Sequence, residues 1–276
     1  MRIEARGLRF DVATGGPEQG EPVLLLHGFP QHSGEWDGVL PALHAAGLRS
    51  YALNQRGYSP QARPAEVEAY RLGELVADAA AVLDALGVPA AHVVGHDWGA
   101  VVGWALAATH PDRVRTLTAV SVPHPAAMAY ALAHDPQQKA RSAYMLLFRQ
   151  PGAAEKTLLA LGAAGLRRLL RGVGDGARVA AYADPMREPG ALTAALNWYR
   201  AMSKADLAGT GPVAVPTTFV WSDGDVAIGR VAAQACAAQV TEDFRFVELT
   251  GVTHWIPDEA PTPLAEAILA RVRPPV

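Results

Sequence analysis

Apolar and polar positions along this chain follow two rhythms, which change places near residue 123. Before that point, short and wholly apolar runs alternate with stretches of helical spacing. Pro22-Val23-Leu24-Leu25-Leu26 is of strand length and has no polar position, as a strand covered on both faces requires. Ser33 to Ala46 reads as a helix and Leu48 to Leu53 as the next strand. Tyr70 to Leu86 places Leu72, Leu75, Val76, Ala79, Val82, Leu83 and Leu86 at helical spacing and stops at Gly87. Ala90 to Val94 is again strand-like, followed by an alanine-rich helix from Ala100 to Ala107 and a strand from Val114 to Val122. This alternation predicts an α/β protein with a mostly parallel central sheet flanked by helices.

From Pro123 to about Pro212 the alternation fails. Helical stretches there are broken at Gln150-Pro151-Gly152, between Gly172 and Gly176, and at Glu188-Pro189-Gly190. Strand character returns at Val215 to Trp221 and at Phe244 to Leu249, and a closing helix covers Pro261 to Val272. The organisation expected is one core, residues 1–122 and 213–276, with a helical segment, 123–212, inserted between two strands. An insertion at that point lies over the C-terminal ends of the strands, where ligands bind in such sheets, and is expected to serve as a lid.

Composition narrows the function classes. The chain has 276 residues, of which 50% are hydrophobic and 18% charged, a globular composition. A net charge of −3 without a basic cluster argues against a nucleic-acid partner. Cys236 is the only cysteine, so neither a disulfide framework nor a thiolate metal site is expected. His32, His44, His92, His110, His124 and His134 lack ligand spacing, and no metal or organic cofactor is implied. Met1 to Arg6 carries charges where a secretory signal has an apolar core, and no segment is long and apolar enough to span a membrane. A cytoplasmic protein is the expectation.

The chemistry concentrates in Gly95-His96-Asp97-Trp98-Gly99, which joins a strand to a helix. Glycines on either side let strand and helix approach closely while the central residue sits strained with its side chain presented. The helix N-terminus behind Asp97 offers free N–H groups to a developing oxyanion. With an unperturbed pKa of ~3.9, an aspartate is ionised near neutral pH and needs no base to act as a nucleophile. It can displace at a saturated carbon and form an alkyl ester. Two later strands are followed by Trp221-Ser222-Asp223-Gly224-Asp225 and by Thr250-Gly251-Val252-Thr253-His254-Trp255. Asp223 and Asp225 compete for the role of an acid, and Asp-Gly is also a turn signature. His27-Gly28-Phe29-Pro30 follows the first central strand. His27 and His96, each inside a turn, are expected to pack and hydrogen-bond rather than react.

Together these motifs resemble the epoxide-hydrolase branch of the α/β-hydrolases over nearly the whole chain. Two insertion segments are similar as well: Asn197-Trp198-Tyr199-Arg200, and Tyr144 to Gly152 with its tyrosine ahead of Pro151-Gly152. The resemblance implies an α/β-hydrolase fold with a helical lid. It implies that Asp97 is the nucleophile, His254 the base that activates water, and Asp225 rather than Asp223 the partner of that histidine. It further implies an oxyanion hole from the backbone of Phe29 and Trp98, and donation by Tyr144 and Tyr199 to the epoxide oxygen. Phe29, Trp98, Trp198 and Leu147 are the residues expected to line the substrate pocket. The expected partners are a small apolar epoxide and water. Trp98 also suits a haloalkane or haloacid dehalogenase with the same Asp-His-Asp set. Against it stand Phe29, where one dehalogenase subgroup has asparagine, and two tyrosines that halide does not need. A binding protein without turnover is the third reading, opposed by a competent residue at every catalytic position.

Overall fold

The structure, a computed structural model, describes residues 1–273. Its strands are β1 (Arg2–Ala5), β2 (Leu8–Gly15), β3 (Glu21–Leu26), β4 (Leu48–Leu53), β5 (Ala91–His96), β6 (Val114–Val120), β7 (Thr217–Ser222) and β8 (Phe244–Leu249). They form one eight-stranded sheet in the order β1-β2-β4-β3-β5-β6-β7-β8. β2 pairs antiparallel with β1 and β4, and the remaining neighbours are parallel. Val23, Leu24, Leu25 and Leu26 are all fully buried, because alternate side chains enter two separate cores. Leu24 and Leu26 pack with Val93, Leu117 and Phe219, whereas Val23 and Leu25 pack with Val94, Val120 and Val220.

No strand was expected ahead of Pro22, yet β1 and β2 lie there as an antiparallel margin. Ile3, Ala5, Phe10 and Val12 turn inward between charged neighbours. That pattern is a half-buried alternation too short to stand out along the chain. The helix expected over Ser33 to Ala46 is also divided. A 3-10 turn covers Ser33–Trp36, and α1 (Leu40–Ala45) begins only after Gly38, with Pro41 in its first turn. Proline suits a helix start because its missing N–H has no intrahelical partner there.

α2 (Leu72–Ala85) and α3 (Trp98–Thr109) complete the first half of the core. Between β6 and β7 come only helices: α4 (Pro125–His134), α5 (Pro136–Arg141), α6 (Tyr144–Phe148), α7 (Ala153–Leu169), α8 (Gly176–Ala183), α9 (Ala191–Ala201) and α10 (Lys204–Gly209). α11 (Arg230–Gln234), α12 (Ile256–Glu259) and α13 (Pro261–Val272) follow the last strands. Polar clamps tie the insertion to the core. Trp198 Nε1 in α9 donates to the Arg56 carbonyl at 2.9 Å. Arg178 in α8 reaches the largely covered Asp258 carboxylate at 2.7 Å, where the Tyr182 hydroxyl also donates at 3.0 Å. Among the described residues no helix is long and apolar enough to cross a membrane.

Candidate active site

Asp97 occupies the one-residue turn between β5 and α3, with φ 50° and ψ −118°. Such a conformation costs of order 1–3 kcal/mol for a residue with a side chain. The glycines around it leave no room for side chains. A Cβ on Gly99 would lie 1.9 Å from the Leu26 carbonyl oxygen, and one on Gly28 would lie 2.3 Å from Asp97 Cβ. Strand, helix and the loop after β3 are therefore in backbone contact around the carboxylate. The Phe29 N–H donates to Asp97 Oδ1 at 2.7 Å.

His254, in the loop after β8, closes the other side. Its Nε2 lies 3.4 Å from Asp97 Oδ2, and its Nδ1 lies 2.8 Å from Asp225 Oδ2. The second Asp225 oxygen accepts from the N–H groups of Ala227 and Ile228 at 2.7 and 2.9 Å. Asp223 faces elsewhere and accepts from the Gly251 N–H at 2.7 Å, joining the two loops. Of the two aspartates, the structure brings Asp225 to the imidazole.

Burial disfavours charge on both Asp97 and His254, but each is overruled by its partners. Hydrogen bonding and charge from His254, the field of His96 and the Phe29 N–H hold Asp97 below the ordinary aspartate value. Asp225 and then Asp97 push His254 up to about 10. Both aspartates thus favour the charged form of His254.

Behind this set lies a buried relay that the sequence did not announce. Glu35 is wholly buried, and burial, followed by the charges of Asp258 and Asp97, pushes its carboxyl well above the usual range. Burial, followed by the charge of His254, lowers His96 to about 4. Glu35 Oε2 lies 3.2 Å from His96 Nδ1, and His96 Nε2 donates to the His254 carbonyl at 3.0 Å. The Ser121 hydroxyl donates to that same carbonyl at 2.8 Å, from a residue with φ 64°. His96 is a positioning residue, in keeping with its place in a turn. Glu35 carried no signal in the sequence, because its meaning comes from a histidine 61 positions away.

Above Asp97 opens a cavity of about 850 Å³, lined by that aspartate, Trp98 and Ile228 from the core and by Met128, Tyr144 and Tyr199 from the insertion, among others. Tyr199 is held by aromatic edges on three sides, with ring centroids 5.0 Å from Phe148, 5.1 Å from Trp98 and 5.4 Å from Phe29. Tyr144 packs on Phe148 at 5.1 Å and stands 6.4 Å from Tyr199. Burial, then the charge of Asp97, raises both phenols above their ordinary value, so both remain protonated.

Three residues expected in the pocket lie outside its wall. Leu147 turns back into the hydrophobic core, and its neighbours Met145 and Leu146 face the cavity instead. One residue shifts direction by roughly 100° around a helix, and α6 is too short for its rhythm to fix the face. Trp198 lies behind Trp98, with centroids 5.5 Å apart and its N–H committed to Arg56. Phe29 reaches the site through its backbone, while its ring supports Tyr199 and Phe148.

A strained aspartate in a strand-to-helix turn, followed in chain order by a second aspartate and a histidine on an eight-stranded sheet, defines a class. The family described as alpha/beta hydrolase fold matches residues 21–261, and the chain belongs to it. Within that family it falls in the epoxide-hydrolase branch. Epoxide hydrolase A of Mycobacterium tuberculosis is 33% identical, across 97% of this chain and 95% of that protein. The AB hydrolase superfamily protein YfhM of Bacillus subtilis is 32% identical with the same coverage. Among solved structures, a mutant epoxide hydrolase from Bacillus megaterium, complexed with its product (R)-3-[1]naphthyloxy-propane-1,2-diol, aligns with a TM-score of 0.89 at 25% identity, covering 99% of both chains.

Proposed function

We propose that this protein hydrolyses epoxides to vicinal diols through a covalent ester on Asp97. The observation that carries the reading is that Asp97 and the hydroxyl-bearing Tyr144 and Tyr199 line one cavity from opposite sides. Relatives that are epoxide hydrolases over most of their length support it. The insertion acts as the lid that delivers the phenols.

Asp97 Oδ1 is engaged by Phe29, which leaves Oδ2 to attack an epoxide carbon. The ring C–O bond breaks, and the alkoxide takes a proton from Tyr199 or Tyr144. An alkoxide is a poor leaving group without such a donor, and a positioned acid contributes ~10²–10⁴-fold. Oδ1 becomes the ester carbonyl. Alkylation removes the charge of Asp97, so His254 loses one of the two carboxylates that keep it protonated. Its proton becomes available to leave, and the neutral imidazole then accepts a proton from water as that water adds to Asp97 Cγ.

The oxyanion forms on Oδ1, within reach of the Phe29 N–H, with the Trp98 N–H as the second donor. Removal of one such donor typically costs ~3 kcal/mol. Collapse expels the second alkoxide, which is protonated by His254. Asp97 emerges as the acid and ionises, and solvent returns that proton to the phenolate. Asp225 keeps the imidazole oriented and offsets its positive charge throughout.

The test separates the half-reactions. A His254→Gln variant given an aryl glycidyl ether should accumulate an adduct on Asp97, visible as an increase in intact protein mass equal to the epoxide. The wild type should release diol and show no persistent adduct. Absence of the adduct, while the wild type turns over, rejects the covalent route. Halide release from matched haloalkanes without diol from epoxides would move the protein to dehalogenation.

A further inference from the structure

One peptide unit of the core, between Arg56 and Gly57, meets α9 and is held from both sides. Its carbonyl accepts from Trp198 Nε1 at 2.9 Å, and its N–H donates to the Ala62 carbonyl at 2.7 Å. Both groups lie in one plane, so the two bonds fix its tilt. Gly57 has φ 92°, and a Cβ there would lie 3.2 Å from the Ala194 carbonyl of α9. Backbone of the loop after β4 thus meets backbone of the helix that carries Tyr199. Thr193 and Arg200 of the same helix bond instead to Glu155, inside the insertion.

The buried Arg56 side chain anchors this unit to the core. Its Nε and Nη2 form a fork onto the buried Asp78 of α2 at 2.6 and 2.7 Å, and Nη1 donates to the Ala69 carbonyl at 3.0 Å. Arg6, from the turn between β1 and β2, also donates to Asp78 Oδ1 at 2.8 Å. Desolvation offsets most of the attraction within a buried charge pair, so such a pair adds little stability over an apolar one. What the fork supplies is direction. On the side of α9, the Trp198 ring meets Tyr58 and Trp98 edge to face, with centroids 6.0 and 5.5 Å away. A helix turns by roughly 100° per residue, so fixing Trp198 fixes the direction in which Tyr199 enters the cavity.

We propose that Asp78, Arg56 and Trp198 are positioning residues for Tyr199. They hold the peptide between Arg56 and Gly57 as the seat of α9, and so station the phenol in the cavity that it shares with Asp97. None of the three lines that cavity, and each acts through the next. The assignment rests on the epoxide-hydrolase reading and deepens it. Its effect falls on ring opening, where Tyr199 donates a proton, and not on the addition of water to the ester.

Single-turnover mass spectrometry with an aryl glycidyl ether follows formation and decay of the Asp97 ester. Trp198→Phe keeps an aromatic ring and loses the N–H. In the otherwise wild-type chain it should slow ester formation about tenfold and leave decay unchanged. In a Tyr199→Phe background, with Tyr144 as the remaining donor, it should change formation by less than about twofold, because members of one chain of contacts are not additive. Arg56→Lys keeps the charge opposite Asp78 but not the fork, and should repeat the pattern with a smaller factor. Equal slowing in both backgrounds, equal slowing of formation and decay, or no slowing by Trp198→Phe overturns the assignment. No slowing by Arg56→Lys removes Arg56 and Asp78 from it. The wild type separates the levels. If it yields diol while the variants behave in any of these ways, the positioning falls alone, whereas a wild type that yields neither ester nor diol rejects epoxide hydrolysis itself.

Discussion

The turn that carries Asp97 is fixed by backbone packing, whereas the insertion that carries Tyr144 and Tyr199 is fixed by side-chain clamps. Around Asp97, three backbone segments meet so closely that Gly28, Gly95 and Gly99 leave no room for a methyl group. Across the cavity, side chains seat α9: Arg149, just after α6, donates to the Tyr199 carbonyl, Trp198 donates to the Arg56 carbonyl, and the Tyr199 ring packs on Phe148, Trp98 and Phe29. α7 even breaks at Ala160–Ala163, where Leu161, Gly162 and Ala163 have positive φ and Leu161 is 93% exposed. The difference teaches how the work is divided. In the proposed reaction a nucleophile and its oxyanion hole must hold still between half-reactions, while proton donors carried on a cover must move enough to admit substrate.

The largest test of this contrast sets one glycine against another. Gly99→Ala forces a Cβ into the Leu26 carbonyl and should cost more than about 4 kcal/mol, a large part of the ~5–15 kcal/mol that holds a domain together. Gly176→Ala, at the start of α8 with open space around it, should be neutral or stabilising by about 0.4–1 kcal/mol. Urea unfolding of the two variants measures both, and equal losses would break the comparison.

Next in size is the chemistry of the cover. Tyr199→Phe should slow alkylation by about 10²-fold or more while leaving hydrolysis of the preformed ester nearly unchanged. Single-turnover mass spectrometry resolves the two steps, and equal slowing of both would give the tyrosine a different role.

A smaller effect follows from charge. Asp97 is held below the ordinary value, so alkylation should persist into acid solution. Hydrolysis needs neutral His254, whose pKa stands at about 10 beside two carboxylates and falls when one becomes an ester. Lowering the pH through that fallen value should slow hydrolysis about tenfold per unit and cause alkyl-enzyme to accumulate. Accumulation at high pH instead would reverse the assignment. Smallest is Gln138→Leu in α5: the buried Gln138 amide accepts from the Gly229 N–H at 2.8 Å, and stranding that donor should cost about 1–2 kcal/mol. Faster amide exchange over residues 225–229, with β5 unchanged, would place that loss at the clamp.

How much of this was legible along the chain varies with distance. The central strands, the glycine-flanked Asp97 and the order of acid before histidine could be read directly, since each depends on neighbours in sequence. The choice between Asp223 and Asp225 could not be made from composition or turn signatures. It was the family spacing that favoured Asp225, and the fold sets it against His254 with Asp223 turned to Gly251. Leu147 was misplaced because a five-residue helix has no periodicity from which to read a face. Glu35 belongs to no motif and acquires its place from His96.

The sequence by itself determined the layered α/β core, the bend at Asp97 and the helical character of the segment over it. Periodicity and glycine act within a few residues, and those features need nothing more. Only the tertiary structure decided which inserted residues overlook the carboxylate, and that Asp225 and Asp97 favour the charged form of His254. Each of these is set by burial and by fields between groups far apart in the chain, which no local pattern encodes.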